Sequence, residues 1–239
     1  MASISTAIKK GFYNTFYLKD KRIIAPIIVF FLIGVASSVI GVYTQDSFFM
    51  QPNTSYNPMA MAYSYNYVGL ILPLYILLGL VGLFFFGFIV VSYSSKRSKS
   101  SMSVIKETAS HYLSLLATTI LMGVILIAGF IAFVLPGIFL SIKLVLSQMF
   151  VLLKKDSPGK ALSDSYEITK GKFWDIFALL LVIWFIVVFF EFVVLHIMLL
   201  QPIYAFTIVV NALVGAFFTV AIISTITDYF LQVAKKIKV

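Results

Sequence analysis

The sequence has no cysteine, which excludes disulfide frameworks, thiolate metal sites and cysteine nucleophiles. It has two histidines, His111 and His196, too few for a zinc site of ordinary composition. Acidic residues number nine in 239, and charged residues make up only 11% of the chain, against about a quarter in an average soluble domain. HExxH, Gly-x-Ser-x-Gly and Walker patterns are absent, and no Asp/Glu/His set carries metal-ligand spacing. No catalytic residue, metal ligand or cofactor is therefore expected.

What fills the space is apolar: 61% of the residues are hydrophobic. Such a surface must face something apolar, and a bilayer is the simplest candidate. Crossing the hydrocarbon core as a helix takes about 20 apolar residues. Five runs reach or approach that length, at about 23–43, 68–93, 113–135, 177–200 and 203–230. A sixth, 138–153, is shorter, contains Lys143, and follows Pro136-Gly137, a turn signal expected to end the preceding helix. The first run is too long for the apolar core of a cleavable signal peptide, and no small-residue cleavage site follows it.

The net charge of +9 is informative through its placement. Lys and Arg fall in four clusters: Lys9, Lys10, Lys19, Lys21 and Arg22; Lys96, Arg97, Lys99 and Lys106; Lys154, Lys155, Lys160, Lys170 and Lys172; and Lys235, Lys236 and Lys238. Lys143 alone lies elsewhere. The connections 44–67, 136–137 and 201–202 carry no Lys or Arg. Six crossings put every cluster on one side, whereas five would split them. The positive-inside rule then places both termini in the cytoplasm of a multi-pass cell-membrane protein. Anionic headgroups at that face are the expected lipid partners. Nucleic acid is not expected, because no aromatic-basic platform accompanies the charge.

Polar stretches between the clusters read as amphipathic interface helices. The third, about 158–170, starts with Ser157 as N-cap and Pro158 at the first helical position. It sets Ala161, Leu162, Ser165, Ile168 and Thr169 against Lys160, Ser163, Asp164, Glu167 and Lys170. Lying flat at the interface would satisfy both faces. A second, about 103–112, aligns Val104, Thr108 and Tyr112. The first, about 6–17, aligns Ile8, Phe12 and Phe16 against Lys9, Lys10 and Asn14. Each precedes an outward span followed by a return span. The expected fold is an all-α integral membrane protein: one polytopic domain over 1–239, six transmembrane helices in three hairpins, each preceded by a cytoplasmic interface helix.

The residues from Leu135 to Leu153, LPGIFLSIKLVLSQMFVLL, and from Ser157 to Phe177, SPGKALSDSYEITKGKFWDIF, are similar to a known pattern. It joins a Leu-Pro-Gly turn, a short span, an Ala-Leu-Ser helix and a Thr-Lys-Gly-aromatic run. In this respect the chain resembles the membrane domain attached to some glycerophosphoryl diester phosphodiesterases, which also occurs alone in bacterial and archaeal proteins of unknown role. Here the pattern falls on Leu135, Pro136, Gly137, Ala161, Leu162, Ser163, Thr169, Lys170, Gly171 and Phe173, with Lys172 intervening before the aromatic. The resemblance covers about a fifth of the chain. It implies a six-helix membrane module and not the phosphodiesterase reaction, which belongs to a separate soluble domain in the fused proteins.

Polar residues at membrane depth are functional candidates because they are costly there. They are Lys143, Glu191, His196, Asn211 and Gln148. At 1.5 Å per residue, Glu191 lies about 13 Å below Leu200 and Lys143 about 10 Å below Pro136. This suggests an ion pair locking spans four and five. Its rivals are Lys143 snorkelling to the outer face and a relay through Glu191 and His196. Asn211 fits an interhelical hydrogen bond, and Gly34, Ser37, Ser38 and Gly41 a close helix contact. Asp228, near Lys235 and Lys236, reads as a solvated interfacial charge. Asn53-Thr54-Ser55 is an N-glycosylation triplet in the outer loop.

The expected function is that of a non-enzymatic scaffold, assembly or lipid-associated module, with membrane lipids and membrane proteins as partners. The alternative is a transporter or pore component, in which Lys143, Glu191, Asn211 and Gln148 converge on a polar site between the hairpins. An intramembrane lipid enzyme ranks last; Asp164, Glu167 and Asp228 would be its first carboxylates to test.

Overall fold

A computed structural model describes residues 4–17, 20–49, 58–95, 99–200 and 204–236. Among them there is no strand. The elements are α1 (Ile4–Phe16), α2 (Ile24–Phe49), α3 (Pro58–Ser94), α4 (Ser101–Ala132), α5 (Val134–Leu144), the single turn α6 (Ser147–Met149), a π-turn (Phe150–Lys154), α7 (Pro158–Thr169), α8 (Phe173–Leu200) and α9 (Tyr204–Lys236). Six segments are long and apolar enough to cross a membrane: Lys21–Gly41, Ile71–Ser94, Ser101–Ala132, Val134–Lys154, Phe173–Val194 and Phe206–Lys235. The protein is an all-α, multi-pass integral membrane protein.

Three boundaries differ from expectation. Ser103–Tyr112 is no separate helix; it is the first third of α4. No Gly or Pro occurs between Ser101 and Gly123, so nothing in the chain stops that helix. Ser100 starts it, its side chain accepting from the Ser103 amide at 3.3 Å. The α4–α5 break falls at Phe133, whose backbone is extended (φ −169°, ψ 158°), rather than at Pro136-Gly137. Pro136 sits in the first turn of α5, where a missing N–H costs nothing. Gly137 is there because Phe130 of α4 lies against its Cα; a side chain at Gly137 would collide with that ring. The expected outer loop 44–67 is largely helical, since α2 runs to Phe49 and α3 begins at Pro58. Asn53 lies outside the described residues.

The helices assemble around α9. It packs more extensively on α2 and α1 than on α8, its own hairpin partner. Small residues explain this: Ala212, Ala216, Ala221, Ser224 and Thr225 of α9 are all buried. Small side chains let helix backbones approach where lipid supplies no hydrophobic drive between helices. Gly34 of α2 meets α9 so closely that an added Cβ would lie 3.2 Å from the Ala212 Cα. At Gly41, expected on the same contact face, an added Cβ would have no described atom within 4 Å.

The closest approach is that of α1. Its buried stripe is Ala7, Gly11 and Thr15, with an added Cβ at Gly11 only 2.8 Å from the Thr225 Cα and N. The expected stripe of Ile8, Phe12 and Phe16 is instead half-buried at Ile8 and Phe12 and exposed at Phe16. Size outweighs hydropathy here, because only the small side chains admit the α9 backbone.

α8 is peripheral. Ile176, Leu179 and Ile183 of its first half are buried, but Trp184, Phe185, Val188, Phe189, Phe190 and Phe192 are exposed. In a bilayer such a face meets acyl chains.

Candidate functional site

The polar residues of the spans are best read one joint at a time. The fourth segment, Val134–Lys154, is broken near its middle. α5 stops at Leu144, Val145 and Leu146 form a turn, and the chain resumes as α6 and the π-turn. Lys155 then takes a left-handed conformation (φ 61°) and turns the chain back on itself. α7 consequently folds back along the segment it follows, packing on the π-turn, α6 and α5, and also on α4. Its buried face is Ala161, Leu162, Ser165 and Thr169. The face expected to enter lipid meets protein.

A helix end leaves carbonyls without intrahelical partners, and at the end of α5 the hydroxyls of α7 supply one. Ser165 Oγ donates to the Lys143 carbonyl at 2.8 Å. Thr169 Oγ1 stands 3.3 Å from the same oxygen and 2.9 Å from the Ser165 carbonyl of its own helix. All three groups are buried. The Lys143 side chain is 3% exposed, yet no acid pairs with it among the described residues. Its Nζ lies 5.0 Å from the ring centre of Tyr166, 5.4 Å from Phe139 and 6.0 Å from Phe173. Ring quadrupoles attract a desolvated ammonium by about 2 kcal/mol, which offsets part of the several kcal/mol that burying an ion costs.

The five candidates do not meet; no hydrogen bond or ion pair joins any two of them. Glu191 is exposed on the C-terminal part of α8, so the expected Lys143–Glu191 pair does not form. The expected snorkelling of Lys143 does not occur either, because three aromatic rings hold its ammonium inside. His196 is exposed, and its Nδ1 is 3.0 Å from the Phe192 carbonyl of its own helix. Asn211 is half-buried on α9 with no hydrogen bond to a described residue. Gln148 Nε2 donates to Thr119 Oγ1 at 2.9 Å and ties α6 to α4.

Two joints were not anticipated. Asp228 is not a solvated charge: it is 9% exposed on α9. Tyr93 Oη of α3 donates to its Oδ1 at 3.4 Å, Gln232 Nε2 to its Oδ2 at 2.6 Å, and Asn14 Nδ2 of α1 to Tyr93 Oη at 3.3 Å. Hydrogen bonds to a charged group run about 1.5–3 kcal/mol, so this carboxylate fastens α1 and α3 to α9. Arg22 makes the other joint. Its guanidinium pairs with Asp20 at 2.6 Å, and donates to the Ser92 carbonyl at 3.2 Å, Ser95 Oγ at 3.1 Å and the Lys99 carbonyl at 3.0 Å. It thereby caps α3 and holds the α3–α4 connection to the start of α2. The signal for Arg22 was a cation beside a helix start, which the sequence reading used only for topology; for Asp228 it was a lone acid on the last span, which that reading left to solvent.

Two cavities accompany these joints. One, about 360 Å³, lies between the first turn of α2, α3 and the start of α4, and is lined by Lys21, Arg22, Phe84, Phe85, Phe88 and Ile105 among others. The other, about 570 Å³, is an apolar groove between α1, α8 and α9. None of the five candidates lines either one. The exposed lysines stand apart from both kinds of joint. Lys9, Lys10, Lys106, Lys155 and Lys235 project outward without an acidic partner among the described residues, while Lys160 pairs with Asp156 at 2.9 Å, which holds its ammonium pKa above the ordinary value. Comparison with known proteins finds no matching family model, no matching curated protein and no matching solved structure.

Proposed function

We propose that the protein is a non-enzymatic integral membrane module that acts as a scaffold or assembly platform and associates with lipid through its basic face. One observation carries this reading: the polar groups at the breaks and ends of the spans are engaged in helix–helix joints, although the buried hydroxyls of Ser92, Thr108, Ser224 and Tyr229 have no hydrogen-bond partner among the described residues. The Lys143 carbonyl is taken by α7, Gln148 by α4, Asp228 by α3, and Arg22 by the end of α3. A transport path needs polar groups free to meet cargo, and an active site needs them free to meet a reacting atom. Of the carboxylates considered for lipid chemistry, Asp228 is bonded to Tyr93 and Gln232, and Glu167 to Lys170.

In this reading the four basic clusters face the cytoplasm of a cell-membrane protein with both termini inside, and the free lysines are the sites for anionic headgroups. Aromatic residues at the start of α8, Phe173 and Trp174, suit headgroup depth. The resemblance of residues 135–177 to the phosphodiesterase-associated membrane domain agrees with a module that supports other chemistry without performing it.

The test is purification from the native host in mild detergent, with mass spectrometry of what remains bound. Stoichiometric protein partners or retained phospholipid support the proposal. A retained water-soluble metabolite contradicts it and favours transport.

A further inference from the structure

The apolar groove is a consequence of how three helices meet. Gly11 brings α1 into backbone contact with α9 at Thr225. Phe218 of α9 is then touched from two sides, by Phe12 of α1 at 5.8 Å and by Phe190 of α8 at 4.6 Å between ring centres. Phe16 meets Phe217 at 6.1 Å. Because α8 packs on α9 less extensively than α1 does, these rings form walls and leave a trough of about 570 Å³ between α1 and α8. That volume falls in the range of about 300–1,000 Å³ typical of ligand clefts.

The walls are apolar and no lysine lines them, but two cations stand within one turn of the lining residues along α1. Contrary to the expected opposition of Lys9 and Phe12, Lys9 is three and four residues before Phe12 and Tyr13, and so lies on the same face of α1 one turn away. Lys10 stands in the same relation to Tyr13. Both lysines are exposed and neither pairs with an acid. α1 contains no acidic residue, and Asp20, the next in the chain, is held by Arg22. The face therefore reads cation, cation, then four aromatic residues, Phe12, Tyr13, Phe16 and Tyr17. α1 cannot turn this face away, because Asn14 and Gly11 fix it to Tyr93 and Thr225.

We infer that this trough is a binding site for one anionic phospholipid, with an acyl chain against Phe12, Phe16, Phe190, Phe217 and Phe218 and the phosphate at Lys9 and Lys10. An aromatic wall alone accepts the tail of any lipid. The two free ammonium groups supply the preference, since a zwitterionic headgroup presents no net charge to them, whereas each Lys near an anionic surface is worth about 1 kcal/mol. Two such contacts amount to about a 30-fold preference. The inference deepens the lipid association proposed above and rests on it only for the side of the membrane that Lys9 and Lys10 face.

The experiment is thermal unfolding of the full chain in mild detergent, with phosphatidylglycerol or phosphatidylcholine added at matched concentrations. The wild-type midpoint should rise with both and clearly more with phosphatidylglycerol. The Lys9→Gln/Lys10→Gln variant touches no buried contact and should keep the phosphatidylcholine response while losing the difference. Leu213→Trp, which narrows the trough from an exposed position on α9, should lose both responses while its lipid-free midpoint and elution volume stay at the wild-type values. Equal responses of the wild type to the two lipids overturn the inference, as does a preference that survives loss of both lysines. Either failure leaves the scaffold part of the proposed reading intact, because bound protein partners test it independently of lipid. Conversely, a retained metabolite would remove the scaffold reading and leave this lipid site standing.

Discussion

Ser165 Oγ donates to the main-chain carbonyl of Lys143 across 2.8 Å, bridging 22 residues of chain. Through this bond the break in the fourth segment and the fold-back of α7 are one device: the broken helix exposes a carbonyl, and the next helix covers it. A buried carbonyl left without a partner costs about 1–3 kcal/mol. Ser165→Ala alone should lower stability by about 1 kcal/mol, with Thr169 taking over the oxygen it already approaches. Ser165→Ala/Thr169→Val should lower it by more than the sum of the single changes. Unfolding midpoints in detergent check this; strict additivity would show that the two hydroxyls do not share an acceptor.

Lys143 and Glu191 are energetically independent, since one is enclosed by three rings and the other lies exposed on α8. A double-mutant cycle through Lys143→Met and Glu191→Gln should give a coupling energy within about 0.5 kcal/mol of zero. Lys143→Met should be tolerated, because a buried ion replaced by an apolar side chain of like volume is often neutral or stabilising. A coupling of 2 kcal/mol or so would restore the ion pair.

Gly11 is the position where α1 and α9 share backbone contact. Gly11→Leu should force α1 off α9 and break the Asn14–Tyr93 bond with it. Overpacking of this kind costs about 1–3 kcal/mol. Gly123→Leu, at an open position on α4, should change the midpoint little. Protease sensitivity near the N-terminus should rise in the first variant only.

Arg22 acts through the planar fork of its guanidinium, which reaches Asp20, Ser92, Ser95 and Lys99 together. Lys has the charge but not the fork. Arg22→Lys should therefore destabilise nearly as much as Arg22→Gln, as read from unfolding midpoints. Full rescue by Lys would show that Arg22 contributes its charge alone.

The membrane class was legible in composition, because six long apolar runs admit no other solvent. The start of α7 was legible at Ser157-Pro158, where Pro158 opens the helix, although the Ser157 side chain makes no cap hydrogen bond. What the sequence hid was partnership. A helical wheel ranks faces by hydropathy and so chose Ile8, Phe12 and Phe16 for α1, whereas contact with α9 selects the small residues Ala7, Gly11 and Thr15. Depth along a helix suggested that Lys143 and Glu191 could meet, but depth says nothing about azimuth. Asp228 looked solvated beside Lys235 and Lys236; its partner on another helix, Tyr93, lies 135 residues away in the chain.

The account depends most on all the basic ends lying at one face of the membrane. The absence of native cysteine allows single cysteines at Ser101 and Gly159, both exposed, to be labelled in intact cells with an impermeant maleimide. The account predicts that neither reacts until the membrane is permeabilised, and that a cysteine at Asn53 reacts at once. Reaction of Ser101→Cys and Gly159→Cys from opposite sides would contradict it.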